Sequence, residues 1–207
     1  YLNNGVDYWY RIILEKGAEV SVFHSLFVDL SLGIDEIKSN FRKSYKPLIS
    51  KGLKLWEVDV VTSDCSADFD QFRKLHYEVA GRETRNRETW DIQEDAINNG
   101  KAFLVTLRDD AGVLVGGGYF DIAPYMGMYS VGVYKRELFD QPLGHAVQMT
   151  AISQMKRMGL RWYYLGRRSY ESDNPVPTQK EISISKFKEG FASHRYIQLH
   201  TSCNQNS

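Results

Sequence analysis

The segment Gln141-Pro142-Leu143-Gly144-His145-Ala146 has residue types suited to holding phosphate, and it lies just before a predicted helix. Gly144 lets a ligand approach the backbone closely, and a helix N-terminus offers unpaired N–H groups and a positive dipole end to phosphate oxygens. We expect His145 to face phosphates or solvent rather than to act as a base. The alternative is that Gly144 merely begins a helix after a proline-containing turn.

Arginines form a second candidate cluster at Arg82, Arg85 and Arg87, and Trp90 follows them. Guanidinium groups bind carboxylates and phosphates through paired hydrogen bonds. We therefore expect Arg82 and Arg85 to orient an anionic ligand. Because two glutamates are interleaved with the arginines, the alternative is a set of surface salt bridges.

Residue periodicity predicts the elements that position these groups. The predicted strands cover residues 55–61, 102–107, 113–122, 127–134, 161–165 and 195–199. The predicted helices cover residues 66–79, 89–100, 144–158 and 182–188, and the helix at 144–158 packs through Val147, Ile152, Met155 and Met158. Residues 102–134 form an antiparallel meander, and the helix and strand after it complete a parallel β-α-β unit, where α/β folds tend to place ligands.

The first 50 residues carry weaker signals. Residues 1–29 include a strand-like run between Val20 and Val28, which we interpret as sheet or packing material. The spacing of Ile34, Ile37 and Phe41 predicts one basic amphipathic helix over residues 34–49. Its charged face is either a solvated surface or a surface that binds phosphate or substrate.

The predicted order of elements, over about residues 55–199, resembles the GNAT fold of N-acetyltransferases. Gln141 to Ala146 is similar to the Gln/Arg-x-x-Gly-x-Gly/Ala pyrophosphate loop of that family. The resemblance implies an α/β (α+β) fold with a mixed, mostly antiparallel central sheet flanked by helices. We predict a GNAT-like transferase domain over residues 51–207, preceded at residues 1–50 by the remnant of a first GNAT-like half and the basic helix.

Four short motifs resemble the FemAB branch, which includes the peptidoglycan bridge-forming aminoacyltransferases. They are Arg42-Lys43-Ser44, Tyr129-Ser130-Val131-Gly132, Leu165-Gly166 and Phe187-Lys188-Glu189-Gly190-Phe191. The last motif is the most specific of the four. FemAB ligases usually carry two GNAT-like halves and often a coiled-coil arm, whereas we expect in this sequence one full half, the tail of another and no arm.

The resemblance implies roles for individual residues. Lys188 would lie near the reacting groups, where an ammonium stabilises the oxyanion of an acyl-transfer intermediate; the alternative is a surface lysine between two buried phenylalanines. Asp121 and Glu181 are candidates for removing the surplus proton of the attacking amine. The donor-binding residues would be Gln141, Leu143, Gly144, His145 and Ala146, and the substrate-binding residues would be Arg82, Arg85, Trp90 and Tyr129.

Composition limits the classes of function. The chain has 26 Lys or Arg residues and 26 Asp or Glu residues, so its formal net charge is zero. No net electrostatic attraction therefore draws it to nucleic acid or to an anionic membrane, and a polyanion would have to bind at a local patch of positive charge. Cys65 and Cys203 match no metal-ligand spacing, which fits a reducing cytosol. The most apolar stretch, residues 112–134, is interrupted by Asp121, Pro124 and glycines, so we expect strands rather than a membrane span.

These observations favour transfer of an acyl or aminoacyl group onto an amine, in the cytoplasm and without a metal. The acceptor would be a small molecule or a cell-envelope precursor, including sugar-linked ones. The loop at residues 141–146 favours acyl-CoA, such as acetyl-CoA, as donor, whereas the FemAB-like motifs favour aminoacyl-tRNA, and DNA is not an expected partner. The alternative is a GNAT-shaped binding or scaffold domain without catalysis, because fold does not fix function.

Overall fold

The seven strands of the protein form one mixed sheet. The computed structural model describes residues 7–202, and the spatial order of the strands is β2-β3-β4-β5-β6-β1-β7. All neighbouring strands are antiparallel except β5 and β6, which are parallel. The strands are β1 (Glu19–Asp29), β2 (Glu57–Val61), β3 (Ala102–Arg108), β4 (Leu114–Ala123), β5 (Met126–Tyr134), β6 (Trp162–Arg168) and β7 (His194–Ser202).

Helices cover both faces of this sheet. On β3, Phe103 and Val105 pack into a core shared with α3 and α6, while Leu104 packs into a second core with α4 and α5. Because both faces are covered, β3 is apolar along most of its length. The helices are α1 (Tyr8–Glu15), α2 (Ile34–Asn40), α3 (Tyr45–Leu55), α4 (Ser66–Ala80), α5 (Arg87–Asn98), α6 (Leu143–Arg157) and α7 (Gln179–Glu189), with one turn of 3-10 helix at Arg136–Leu138.

The predicted fold class is confirmed, as are the meander β3-β4-β5 and the parallel unit β5-α6-β6. Val147, Ile152 and Met155 of α6 are buried as expected. Met158 is not a packing residue, because α6 ends at Arg157 and the Met158 side chain is exposed.

The single helix predicted over residues 34–49 is wrong. The chain forms α2 and α3 instead, because Phe41 adopts an extended backbone conformation after Asn40. The Phe41 ring is buried against Phe191 at a centroid distance of 5.1 Å, and the Arg42 N–H donates to the Gly190 carbonyl at 2.8 Å. Contacts with residues that lie far away in the sequence therefore end the first helix, and the spacing of apolar residues does not reveal them.

The N-terminal strand-like run forms β1, which lies between β6 and β7 in the same sheet as the meander. Residues 7–50 thus contain α1, β1, α2 and the first part of α3, and residues of β1, α2 and α3 pack into the same core as α6, whereas α1 buries no side chain. The division of the chain at residue 50 stays a prediction. Residues 1–6 of the predicted N-terminal segment and Cys203 lie outside the described residues, and Cys65 is a buried free thiol.

Strands β5 and β6 separate along their length. They pair only between Met126–Met128 and residues 162–164, although β5 continues to Tyr134 and β6 to Arg168. β6 instead stays paired with β1 over the rest of its length. The separation leaves one edge of β5 open in the middle of the sheet, next to the N-terminus of α6.

Candidate active site

A cleft of about 760 Å³ lies at this opening, between β5, the N-terminus of α6 and α7. Its wall is mostly apolar, and its charged side chains are Lys180 and Lys188, with no Asp or Glu among the lining residues. The cleft therefore suits an apolar group that carries or develops negative charge. The lining residues are Val79, Tyr129, Ser130, Val131, Gly132, Val133, Tyr134, Phe139, Gln141, Leu143, Gly144, His145, Lys180, Ser183, Ile184, Phe187 and Lys188.

Lys188 extends from the last turn of α7 into the cleft. Its Nζ lies 5.0 Å from the centroid of the Tyr129 ring, so the ammonium contacts the negative face of the aromatic system. Gly166 lies on the other side, and a Cβ at that position would be 3.0 Å from Nζ. Burial lowers the pKa of the Lys188 ammonium below its usual range, and in the described part of the chain no carboxylate lies within 4 Å of it. The ammonium is thus available to a ligand.

The rest of the motif at residues 187–191 fixes the position of Lys188. Phe191 is fully buried, and Glu189 forms an ion pair with Arg168 on β6 at 2.9 Å. Gly190 packs against the Tyr45 ring, where a Cβ would lie 2.3 Å from Cε2. Each residue around Lys188 therefore has a packing partner, whereas Lys188 itself faces the cleft.

Arg42, between α2 and α3, and Tyr45, the first residue of α3, hold the same end of α7. Arg42 Nη2 donates to the Lys186 carbonyl at 3.1 Å, and Tyr45 Oη donates to the Phe187 carbonyl at 3.0 Å. The last carbonyls of a helix lack intrahelical partners, and a cation there is favourable to the helix dipole. Arg42 therefore binds protein backbone, and its contacts explain the arginine of the Arg-Lys-Ser motif as an anchor for α7.

Tyr129 is held by close packing inside the protein. Its hydroxyl occupies the space beside Gly132, where a Cβ would lie 1.7 Å from Oη, and Oη lies 3.1 Å from the hydroxyl of Tyr134. Nearby, Tyr163 Oη donates to Gln148 Oε1 at 2.5 Å in the fully buried core. Burial raises the pKa of the Tyr129, Tyr134 and Tyr163 hydroxyls, so all three stay protonated at neutral pH.

A β-bulge in β5 brings a residue to the cleft that sequence reasoning missed. Tyr119 of β4 pairs with Val131 and Phe120 pairs with Tyr129, so Ser130 is the extra residue. The Ser130 hydroxyl donates to Asp121, whose other oxygen accepts from the Tyr119 hydroxyl at 3.1 Å. Asp121 itself does not line the cleft, but Ser130 does. The sequence feature that could have identified Ser130 is its position directly after Tyr129 in the Tyr-x-x-Gly motif.

The loop at residues 141–146 begins α6 as predicted, with Leu143 and Ala146 buried in the core. The space beside Gly144 is filled by Phe187, because a Cβ there would lie 2.9 Å from its Cζ. Among the described residues, the N–H groups of Gly144 and His145 have no hydrogen-bond acceptor, so two donors remain for an anion. The glycine is needed for helix packing, and this requirement alone explains its presence.

His145 does not face solvent as expected. Its ring packs edge-on against Tyr45 and Phe187, at centroid distances of 4.6 and 5.2 Å, and its Nε2 is buried. Burial, aided by the charge of Arg42, lowers the pKa of His145 to about 4. The imidazole is therefore neutral at pH 7 and offers a phosphate no positive charge.

The arginine cluster lies at a separate, smaller cleft of about 370 Å³ on α4 and the loop before α5. Arg82 and Trp90 line it, while Arg85 stacks over the Trp90 ring at 5.3 Å and contacts His76 Nε2 at 3.2 Å. Burial, with the Arg85 charge, lowers the pKa of His76. The structure brings Arg82, Arg85 and Trp90 together but places them at a different cleft from Tyr129.

Glu181 lies outside the residues that line the main cleft. Its carboxylate accepts from the Thr178 N–H and hydroxyl at 2.7 Å each, and these bonds form a capping box at the N-terminus of α7. The same bonds hold the pKa of Glu181 below its usual range. Capping therefore accounts for this residue without a role in proton transfer.

We expect Glu181→Ala to lower the thermal midpoint slightly and to leave any transfer rate unchanged, because only the cap of α7 is lost. Since the folded-state pKa of Glu181 is depressed, its contribution to stability is present above the unfolded-state pKa and is lost as the pH falls through the folded-state pKa. Thermal melts at pH 7 and at pH 3 measure this difference. A large loss of activity at an unchanged melting temperature would contradict the assignment.

Within residues 7–202, no group of three or more His, Cys, Asp or Glu side chains is arranged to hold a metal ion. In the same range, no helix has both the length and the apolarity needed to span a bilayer.

Solved structures with this architecture include the three described next, although no family model and no curated protein matches the sequence. FemX superposes with a TM-score of 0.65 at 14% identity, over 84% of this chain and 59% of FemX. The C-terminal domain of a putative lysylphosphatidylglycerol synthetase from Agrobacterium fabrum gives 0.66 at 12% identity, over 91% and 62%. The L-PGS protein from Bacillus licheniformis gives 0.61 at 15% identity, over 95% and 65%.

The chain has the FemX fold. This fold is the GNAT-like mixed sheet flanked by helices, and at these identities the similarity concerns architecture alone. The chain covers less than two thirds of each of the three proteins. In this fold the cleft lies where the parallel strands β5 and β6 separate. Because the comparisons show architecture alone, a function for the chain has to be argued from the residues of the cleft.

Proposed function

We propose that the chain is an acyltransferase that moves an acyl or aminoacyl group onto an amine, with the reaction centred in the cleft between β5 and α7. The observation that carries the proposal is the Lys188 ammonium, held over Tyr129 in a mostly apolar cleft whose lining contains no carboxylate. The shared architecture with FemX and lysylphosphatidylglycerol synthetase supports the same class of reaction.

Acyl transfer to an amine needs two things from the protein. The carbonyl oxygen of the donor becomes an oxyanion when the amine attacks, and the Lys188 ammonium would stabilise that charge in a site of low dielectric. The carbon–nitrogen bond forms and the amine loses one proton. The bond to the leaving group breaks, and the departing sulfur of a thioester, or oxygen of an ester, takes the bonding electron pair and one proton. Ser130 and Asp121 would take the proton of the amine, from the amine to the Ser130 oxygen and from the Ser130 hydroxyl to Asp121, and the hydrogen bond between them supports this relay.

Two donors fit this scheme, acyl-CoA and aminoacyl-tRNA. Gln141 and the free N–H groups of Gly144 and His145 would face the phosphates of a bound CoA, but Phe187 covers Gly144 and His145 is neutral. These features weaken the support that the sequence motif gives to acyl-CoA. A cell-envelope precursor or a small amine remains the acceptor that we propose, with Arg82, Arg85 and Trp90 holding its anionic group at the smaller cleft.

Calorimetric titration of the protein with acetyl-CoA, and separately with aminoacyl-tRNA, tests the proposal. A Gly144 substitution would be ambiguous because it disturbs Phe187, so we choose Gln141→Ala and Lys188→Met instead. Binding of one donor that weakens in Gln141→Ala, together with transfer to an amine that Lys188→Met largely abolishes although the donor still binds, would support the proposal. If neither donor binds, the proposed function is wrong, and a binding or scaffold domain is the better description.

Removing the proposed proton acceptor gives a further prediction. Asp121→Asn should lower kcat about 100-fold, because general-base groups contribute on that order or more. Ser130→Ala should lower kcat by a similar factor, and the double variant should be no slower than the slower single one, because both residues act on one proton. Rates over a range of pH measure this. Tyr119→Phe, which removes only the other hydrogen bond to Asp121, is the matched control and should have a much smaller effect; additive losses would refute the relay.

A further inference from the structure

The outer side of α3 carries a concentration of positive charge that the proposed reaction does not use. Residues 37–56 contain six Lys or Arg residues and no Asp or Glu, in a chain whose formal net charge is zero. Arg42 is not part of this surface, because its guanidinium donates to the Lys186 carbonyl of α7. The other five basic residues are all lysines, so the local field is strong although the overall field is not.

The lysines share one face because of helical periodicity. Tyr45, Ile49, Gly52 and Trp56 are buried at spacings of four, three and four, which define the inner side of α3. At about 100° per residue, Lys46, Lys51 and Lys54 lie on the outer half of the helix. All three side chains are exposed, as is that of Lys43 just before the helix. Ion pairing does not neutralise them, since in residues 7–202 none of the four has a carboxylate within 4 Å.

Two leucines border this basic face. Leu53 is 43% exposed and Leu55 is 40% exposed, on opposite sides of the lysines. Exposed lysines flanked by apolar side chains match an anionic bilayer surface, where the cations meet lipid headgroups and the apolar groups enter the interface. Single-stranded RNA is less well matched, because the outer face of α3 presents no aromatic side chain on which bases could stack.

We propose that the outer face of α3 binds the surface of a membrane that contains anionic lipids. Tyr45, in the first turn of α3, contacts His145 and Phe187 of the cleft wall, so binding through α3 would place the cleft close to that surface. The proposal concerns binding and holds whether or not the chain catalyses acyl transfer.

Co-sedimentation with phosphatidylcholine vesicles, with and without added phosphatidylglycerol, tests this inference on the full 207-residue chain. We expect binding only to the anionic vesicles, and we expect it to weaken as salt is raised. Each basic residue near an anionic surface contributes about a fivefold factor in partitioning, so K46Q/K51Q/K54Q should bind about 100-fold more weakly.

The matched control is K16Q/K101Q/R157Q, which removes three exposed basic residues that line neither cleft and the same total charge. This control should bind the anionic vesicles about as tightly as the unaltered chain. The variant L53Q/L55Q tests the apolar contribution: it keeps the net charge and should lose part of the vesicle binding. Absence of binding to anionic vesicles would overturn the inference, and so would equal losses of binding in the two triple variants. Binding of an RNA oligomer without binding of vesicles would assign the face to nucleic acid instead.

Discussion

Lys188→Met is expected to lower kcat/KM for acyl transfer by about 100- to 1000-fold while the protein stays folded, because a single oxyanion donor contributes on that order. Met keeps the length and apolar stem of lysine, so the packing against Tyr129 and Gly166 is largely retained. The loss should appear in kcat more than in the affinity for the donor, since the ammonium acts on charge that develops in the transition state. Steady-state kinetics and a thermal melt of the same preparation separate these effects.

The pH dependence provides an independent test of the same role. If the ammonium is the active form, the Lys188-dependent part of the rate is lost as the pH rises through the pKa of Lys188. Burial lowers that pKa, so the loss should begin at a lower pH than for an ordinary lysine. Lys188→Arg should remove this alkaline limb, because arginine stays protonated. An unchanged pH profile in Lys188→Met would contradict the assignment.

The matched control for Lys188 is Lys186→Met. Lys186 lies two residues away on α7, is exposed and is absent from the cleft lining, while its carbonyl, which binds Arg42, is kept in the variant. It should retain the rate and pH profile of the unaltered chain. Equal losses in both variants would show that α7 had been disturbed, and the role of Lys188 would then need a different explanation.

Local patterns predicted the fold well where neighbouring residues determine structure. The meander and the helix at Leu143–Arg157 follow from alternation, turns and periodicity, and their observed bounds differ from the predicted ones by a few residues at most. The place of β1 between β6 and β7, and the break at Phe41, depend on contacts with residues far away in sequence. No local spacing encodes such contacts.

The candidate site shows the same limit. Lys188, Tyr129 and residues of the loop at 141–146 line one cleft, and their roles stay predictions. Ser130 was missed because only the register of β4 and β5 reveals that it is the extra residue of a bulge. The roles of Gly144 and His145 also depend on Phe187 and Tyr45, which come from other helices.

Gly132→Ala should produce the second large effect, through Tyr129. The new methyl group would lie 1.7 Å from the Tyr129 hydroxyl oxygen, so the ring must move, and overpacking of a core typically costs about 1–3 kcal/mol. Because the ring also forms the surface under the Lys188 ammonium, we expect transfer activity to fall together with the free energy of unfolding. Urea denaturation and kinetics on the same variant measure both quantities.

A double-mutant cycle with Tyr129→Phe tests the cause. Removing the hydroxyl leaves Cζ as the nearest ring atom, 2.7 Å from the Cβ position, so the clash is reduced but not abolished. Gly132→Ala should therefore destabilise the Tyr129→Phe background less than the unaltered chain, and the difference is the coupling between the two positions. If the cost is the same in both backgrounds, the hydroxyl does not determine the requirement for glycine, and the Tyr-x-x-Gly motif reflects strand geometry instead.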